Sequence, residues 1–67
     1  MTFTVSFKNK ESILDIPKEN YTIKELLEDL ELDTHSYVFR KNDKIVIDES
    51  VIEDGDIIKI IQILYGG

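Results

Sequence analysis

One helix, and only one, is written into this 67-residue chain, and that fact limits the fold more than any other. Thr22 stands as an N-cap and Glu25 follows three residues later, which makes a capping box. Tyr21, just before the cap, is placed to pack on Leu26 as a hydrophobic staple. Ile23, Leu26, Leu27 and Leu30 recur at i, i+3, i+4 and i+7, one apolar stripe. Lys24, Glu25, Glu28 and Asp29 take the wet side. The spacing predicts about two and a half to three helical turns. A single stripe of this kind needs a single sheet face to cover it.

The rest of the chain supplies that sheet. Thr2 to Phe7 alternates strictly, with Phe3, Val5 and Phe7 on one side and Thr2, Thr4 and Ser6 on the other, the mark of a half-buried strand. Lys8-Asn9-Lys10-Glu11 reads as a polar turn into a second strand, Ser12 to Ile16, with Leu14 and Ile16 toward the core. Pro17 ends that strand, having no amide hydrogen to give. After the helix, Tyr37 to Lys41 and Lys44 to Ile47 form a second hairpin about Asn42-Asp43. Asp48 to Asp56 is acidic and turn-like, with Val51 and Ile52 as an apolar plug and Asp54-Gly55-Asp56 as a tight turn. Ile57 to Leu64 is the longest strand. Its apolar character on both faces predicts a central position, beside the first strand and parallel to it. The order hairpin, helix, hairpin, long strand is an α+β roll: one mixed sheet of four to five strands covered by one helix.

Charge and composition exclude several functions. Eight basic against fourteen acidic residues give 8 − 14 = −6. Phosphate binding needs Lys and Arg grouped on one face, and the only adjacent basic pair is Arg40-Lys41, so no nucleic acid partner is expected. An acidic surface fits docking onto a basic protein. No apolar run approaches the ~20 residues of a membrane span, and no signal peptide follows Met1, so the expectation is a soluble cytoplasmic monomer away from membranes. Without Cys there is no disulfide and no thiolate metal site. His35 follows Thr34 in a polar loop with no nucleophile suggested beside it, and reads as solvated. Asp48, Glu49, Glu53, Asp54 and Asp56 do not follow the spacing of a calcium loop. No cofactor, no metal and no enzymatic site is read here.

The chemical interest lies at Gly66-Gly67. Glycine lets backbone pass a narrow channel at any φ, and the Gly67 carboxylate has no side chain beside it. Such a carboxylate suits activation at the α-phosphate of ATP, which leaves an acyl carbon open to sulfur or amine. A frayed terminus is the plainer reading of the dipeptide alone.

The element order, Asp54-Gly55-Asp56, the apolar final strand and Gly66-Gly67 together resemble the β-grasp ubiquitin-like family. The likeness is nearest to the prokaryotic sulfur carriers ThiS and MoaD and the small archaeal modifier proteins, and it spans the chain. The resemblance implies residues 1–65 as a ubiquitin-like domain and residues 66–67 as a flexible Gly-Gly tail. It implies adenylation of Gly67 by an ATP-dependent activating enzyme of the ubiquitin-activating type. The product would be a thiocarboxylate that gives sulfur to an acceptor enzyme, or an isopeptide tag on target-protein lysines. Tyr65 departs from the pattern, since ubiquitin has a basic residue there and sulfur carriers often a small one. That bears on which activating enzyme reads the tail, not on the chemistry of Gly67.

Alternation also marks a docking face. With Ile58 and Ile60 turned to the helix, Lys59, Ile61 and Ile63 turn outward; with Tyr37 and Phe39 buried, Val38 and Arg40 turn outward. Val38, Arg40, Lys59 and Ile61 would then form an apolar-basic patch, where the resemblance implies that partners bind. The other reading of the chain is a non-covalent interaction or scaffold module of the same fold with an inert tail.

Overall fold

The computed structural model describes residues 1–63. The alternating first segment is β1 (Thr2–Phe7), with Phe3 and Val5 buried. It pairs antiparallel with β2 (Lys10–Asp15), Phe7 opposite Lys10. The connection is therefore two residues and not four, and β2 starts at Lys10, not Ser12. Lys8 and Asn9 both take left-handed φ, 51° and 62°, the turn whose twist matches that of paired strands. Leu14 and Ile16 pack against the core half-buried.

The helix, α1 (Ile23–Asp29), carries the full capping box: the Thr22 hydroxyl accepts from the Glu25 N–H and the Glu25 carboxylate accepts from the Thr22 N–H. Lys18 pairs with the same carboxylate, and this ion pair together with the Thr22 bonds holds Glu25 below the usual carboxylate range. Ile23, Leu26 and Leu27 are buried, while Leu30, 39% exposed, lies past the end. At seven residues the helix stops one residue short of the end of its stripe, because Glu31 adopts φ 59°. The Leu32 N–H then donates to the Leu27 carbonyl and the Glu31 N–H to the Glu28 carbonyl, the paired reversal that closes a helix. Tyr21 shares the core with Leu26, its ring tilted against Phe3 at 6.3 Å. Its hydroxyl donates to Asp29, and burial first, then that carboxylate, push the phenol well above its ordinary range.

A 3-10 turn at Thr34–Ser36, capped by Asp33, leads into β3 (Tyr37–Lys41). Its hairpin partner β4 spans Lys44–Val46. Asn42 and Asp43 hold φ of 52° and 70°. Ile47 falls outside the strand because its carbonyl accepts from the Ser50 N–H in a turn. Of the apolar plug, Ile52 is buried and Val51 stays 36% exposed, bridged to Thr22.

The last strand, β5 (Ile57–Gln62), lies parallel to β1 and antiparallel to β3 in the order β2-β1-β5-β3-β4. It is central, as its two apolar faces require. Ile63 is half-buried, and its N–H extends the pairing to the Ser36 carbonyl. Leu64, given to this strand by the sequence, lies outside the described residues, as do Tyr65, Gly66 and Gly67. The inner face, with α1, makes one core of Phe3, Val5, Tyr21, Ile23, Leu26, Leu27, Phe39, Ile52, Ile58 and Ile60.

Candidate functional site

Two regions concern function: the turn that launches β5 and the outer face of the sheet. The Asp54-Gly55-Asp56 turn has a structural task. The Asp54 carboxylate accepts from the Thr2 N–H at 3.0 Å, and the Gly55 N–H donates to the Thr2 carbonyl at 2.8 Å. Gly55 sits at φ 83°, a value that suits glycine. Asp56 is buried; its carboxylate accepts from the Glu53 N–H at 2.7 Å and the Asn42 side chain at 3.0 Å, and pairs with Lys41 at 3.3 Å. Burial alone would raise its pKa, but these donors outweigh it and hold the carboxyl below the usual range. Asn42 completes the lock, its side-chain oxygen accepting from the Ile57 N–H at 3.0 Å. The turn thus fixes the start of β5 against both β1 and the second hairpin.

On the outer face, register joins residues that the sequence could only assign to a side. Val38 stands opposite Ile61 and Arg40 opposite Lys59. Ile61 is 44% exposed, Lys59 and Arg40 are exposed, and Val38 is half-buried. The four form one contiguous patch. Tyr37, expected inside, is also half-buried, its ring edge-on to Phe7 at 5.6 Å. Lys59 reaches Asp43 at 3.5 Å. The row through Lys59 and Arg40 continues to Ile45 on one side and through Ser6 to Glu11 on the other. The next row is Ile57, Thr4 and Ile13. Sequence reasoning missed Ile57, Ile45 and Ile13, although the same alternation turns each outward.

His35 is exposed, and its backbone N–H serves the Asp33 cap. That bond, then Ser36, keeps the Asp33 carboxyl below its usual range. Among the described residues no cluster of His, Cys, Asp or Glu is arranged to hold a metal, and no helix is long and apolar enough to cross a membrane.

The ThiS family model matches residues 4–67. The chain belongs to the ThiS family. A solved structure agrees: the thiamine biosynthesis protein ThiS of Geobacter metallireducens is 25% identical, with all of both chains covered and a TM-score of 0.72. No curated protein matches the chain. As a ThiS-family member it is a ubiquitin-like sulfur carrier of β-grasp fold, a carrier protein and not itself an enzyme. The ThiS match runs through Gly66 and Gly67.

Proposed function

We propose that this protein carries sulfur as a thiocarboxylate on Gly67. An activating enzyme brings the Gly67 carboxylate to the α-phosphate of ATP, expelling pyrophosphate and leaving an acyl-adenylate. A sulfur nucleophile then attacks the acyl carbon, AMP departs with the bonding pair, and the sulfur stays on the carrier until an acceptor enzyme takes it. Gly66 keeps that carbon accessible. In this reading the protein works in the cytoplasm, and the activating enzyme docks on Val38, Arg40, Lys59 and Ile61. The observation that carries the proposal is the family match extending through Gly66-Gly67. The contiguous outward patch on β3 and β5 supports the docking half.

The test is mass spectrometry of the protein isolated from its own cells, with ATP–pyrophosphate exchange by the cognate activating enzyme. We expect an intact chain in which one oxygen is replaced by sulfur, and exchange that disappears when Gly66-Gly67 is deleted. Exchange unchanged by the deletion overturns the proposal. A Gly-Gly remnant on target-protein lysines, with no sulfur gain, would replace the carrier by an isopeptide tag.

A further inference from the structure

We infer that the free edge of β2 receives an extended segment of a basic partner protein, which adds to the five-stranded sheet antiparallel about Ile13. β2 is the outermost strand on its side, beyond β1. The Thr4 N–H donates to the Asp56 carbonyl and the Thr2 carbonyl accepts from the Gly55 N–H, so even-numbered residues of β1 turn their backbone groups to β5. Odd-numbered ones turn to β2, and Phe3–Leu14, Val5–Ser12 and Phe7–Lys10 are the bonded pairs. The Ile16 N–H, which donates to the Met1 carbonyl, keeps the same phase. Glu11, Ile13 and Asp15 therefore point their N–H and C=O groups away from the sheet, where a strand can add. Those groups take no partner among the described residues.

The two edges of the sheet differ. β4 has three residues, and beyond it the Ile47 carbonyl is held by the Ser50 N–H and the Asp48 carbonyl by the Lys24 N–H, so that edge is closed. β2 runs for six residues between the Lys8-Asn9 turn and Pro17. A protected edge places its charge at the middle of the strand or hides it under a loop. Here the middle is Ile13, 74% exposed. The side chains set the chemistry of the occupant. Glu11, Ile13 and Asp15 stand opposite Ser6, Thr4 and Thr2 and share the outer face. The complementary strand presents a basic, an apolar and a basic residue at alternate positions. Its apolar residue extends the row of Ile13, Thr4 and Ile57. A second copy is the wrong occupant, because β2 paired with itself about Ile13 sets Glu11 against the partner's Asp15, like charges face to face. A net charge of −6 likewise draws a basic chain and repels another copy. β1 separates this edge from β5 and the patch of Val38 and Ile61, so the inference is independent of the sulfur-carrier reading.

The probe is the capped heptapeptide Thr-Lys-Thr-Val-Thr-Lys-Thr, titrated into isotope-labelled protein and followed by NMR. So short and flexible a ligand binds weakly, with a Kd of about 1 mM. Amide shifts should gather at Glu11, Ile13 and Asp15, and the exchange of those amides should slow while β4 is unaffected. Methylating the nitrogen of the peptide's valine removes the donor to the Ile13 carbonyl at unchanged charge, and should weaken binding about tenfold or more. The double variant Glu11→Lys/Asp15→Lys should lose the basic peptide and take Thr-Glu-Thr-Val-Thr-Glu-Thr in its place. Both positions are exposed, so its denaturation midpoint should be unchanged. Absence of binding by the basic peptide at about 5 mM overturns the inference. So does equal binding of the N-methylated peptide, which leaves charge attraction without strand addition, or failure of the double variant to switch. Slowed exchange at Glu11, Ile13 and Asp15 in the protein alone at about 1 mM gives the edge to a second copy and overturns it too.

Discussion

Asp56 holds its charge in a place where water scarcely reaches. Three donors make that tolerable: the Glu53 N–H, the Asn42 amide and the Lys41 ammonium. Because its pKa is lowered in the folded state, the unfolded chain takes up this proton first as pH falls. The stabilisation is therefore complete above the ordinary Asp range and is lost as pH descends through the folded value. Asp56→Asn should cost about 1–3 kcal/mol at neutral pH, since Lys41 loses its buried partner. It should also flatten the acid limb of stability. Urea titrations at a series of pH values check both parts; a variant as stable as wild type at pH 7, or with an unchanged acid limb, would contradict them. The sequence shows Asp56 as one acid among five in its loop. The Glu53 N–H is local, but the two side chains that complete the set, Lys41 of β3 and Asn42 of the turn after it, come from more than ten residues away and are not visible in the loop's own sequence.

The start of α1 is legible in the sequence and its end is not. A capping box is a local code, written in Thr22 and Glu25 and read within one turn. The stop depends on Glu31 taking a left-handed φ that glycine normally supplies, and nothing in the stripe, which ends at the C-cap Leu30, announces it. Glu31 also puts a negative charge at the helix's negative end. Glu31→Gly should therefore raise stability by about 1 kcal/mol, seen as a higher urea midpoint at unchanged slope. A decrease would mean that the Glu31 side chain contributes something other than strain. The two hairpins repeat the contrast. Asn42-Asp43 advertises a turn because both residues tolerate left-handed backbone, whereas Lys8 conceals one. Alternation along β5 and β3 gives the side of every residue on the candidate face. It does not give the register, and only register makes Val38 a neighbour of Ile61 across more than twenty residues of chain.

Across the whole molecule, the acidic residues outnumber the basic ones, yet the outer face of β3 and β5 carries Arg40 and Lys59 beside exposed Ile61. If that face docks the activating enzyme, Ile61→Asp sets a charge in the contact while leaving the core alone. Stability should change by no more than about 0.5 kcal/mol, and pyrophosphate exchange by the activating enzyme should fall about tenfold or more, as for a central apolar anchor. Normal exchange from a stable variant would move the docking face elsewhere. The place of β5 also decides how the domain bears load. It lies between two neighbours, parallel to β1 and antiparallel to β3. A partner that holds the sheet and pulls on the chain beyond Gln62 applies force along the strand, so the bonds on both edges share the tension in shear and cannot be peeled away singly. The β-grasp sheet is in this sense an anchor, able to stay folded while an enzyme hauls on its end.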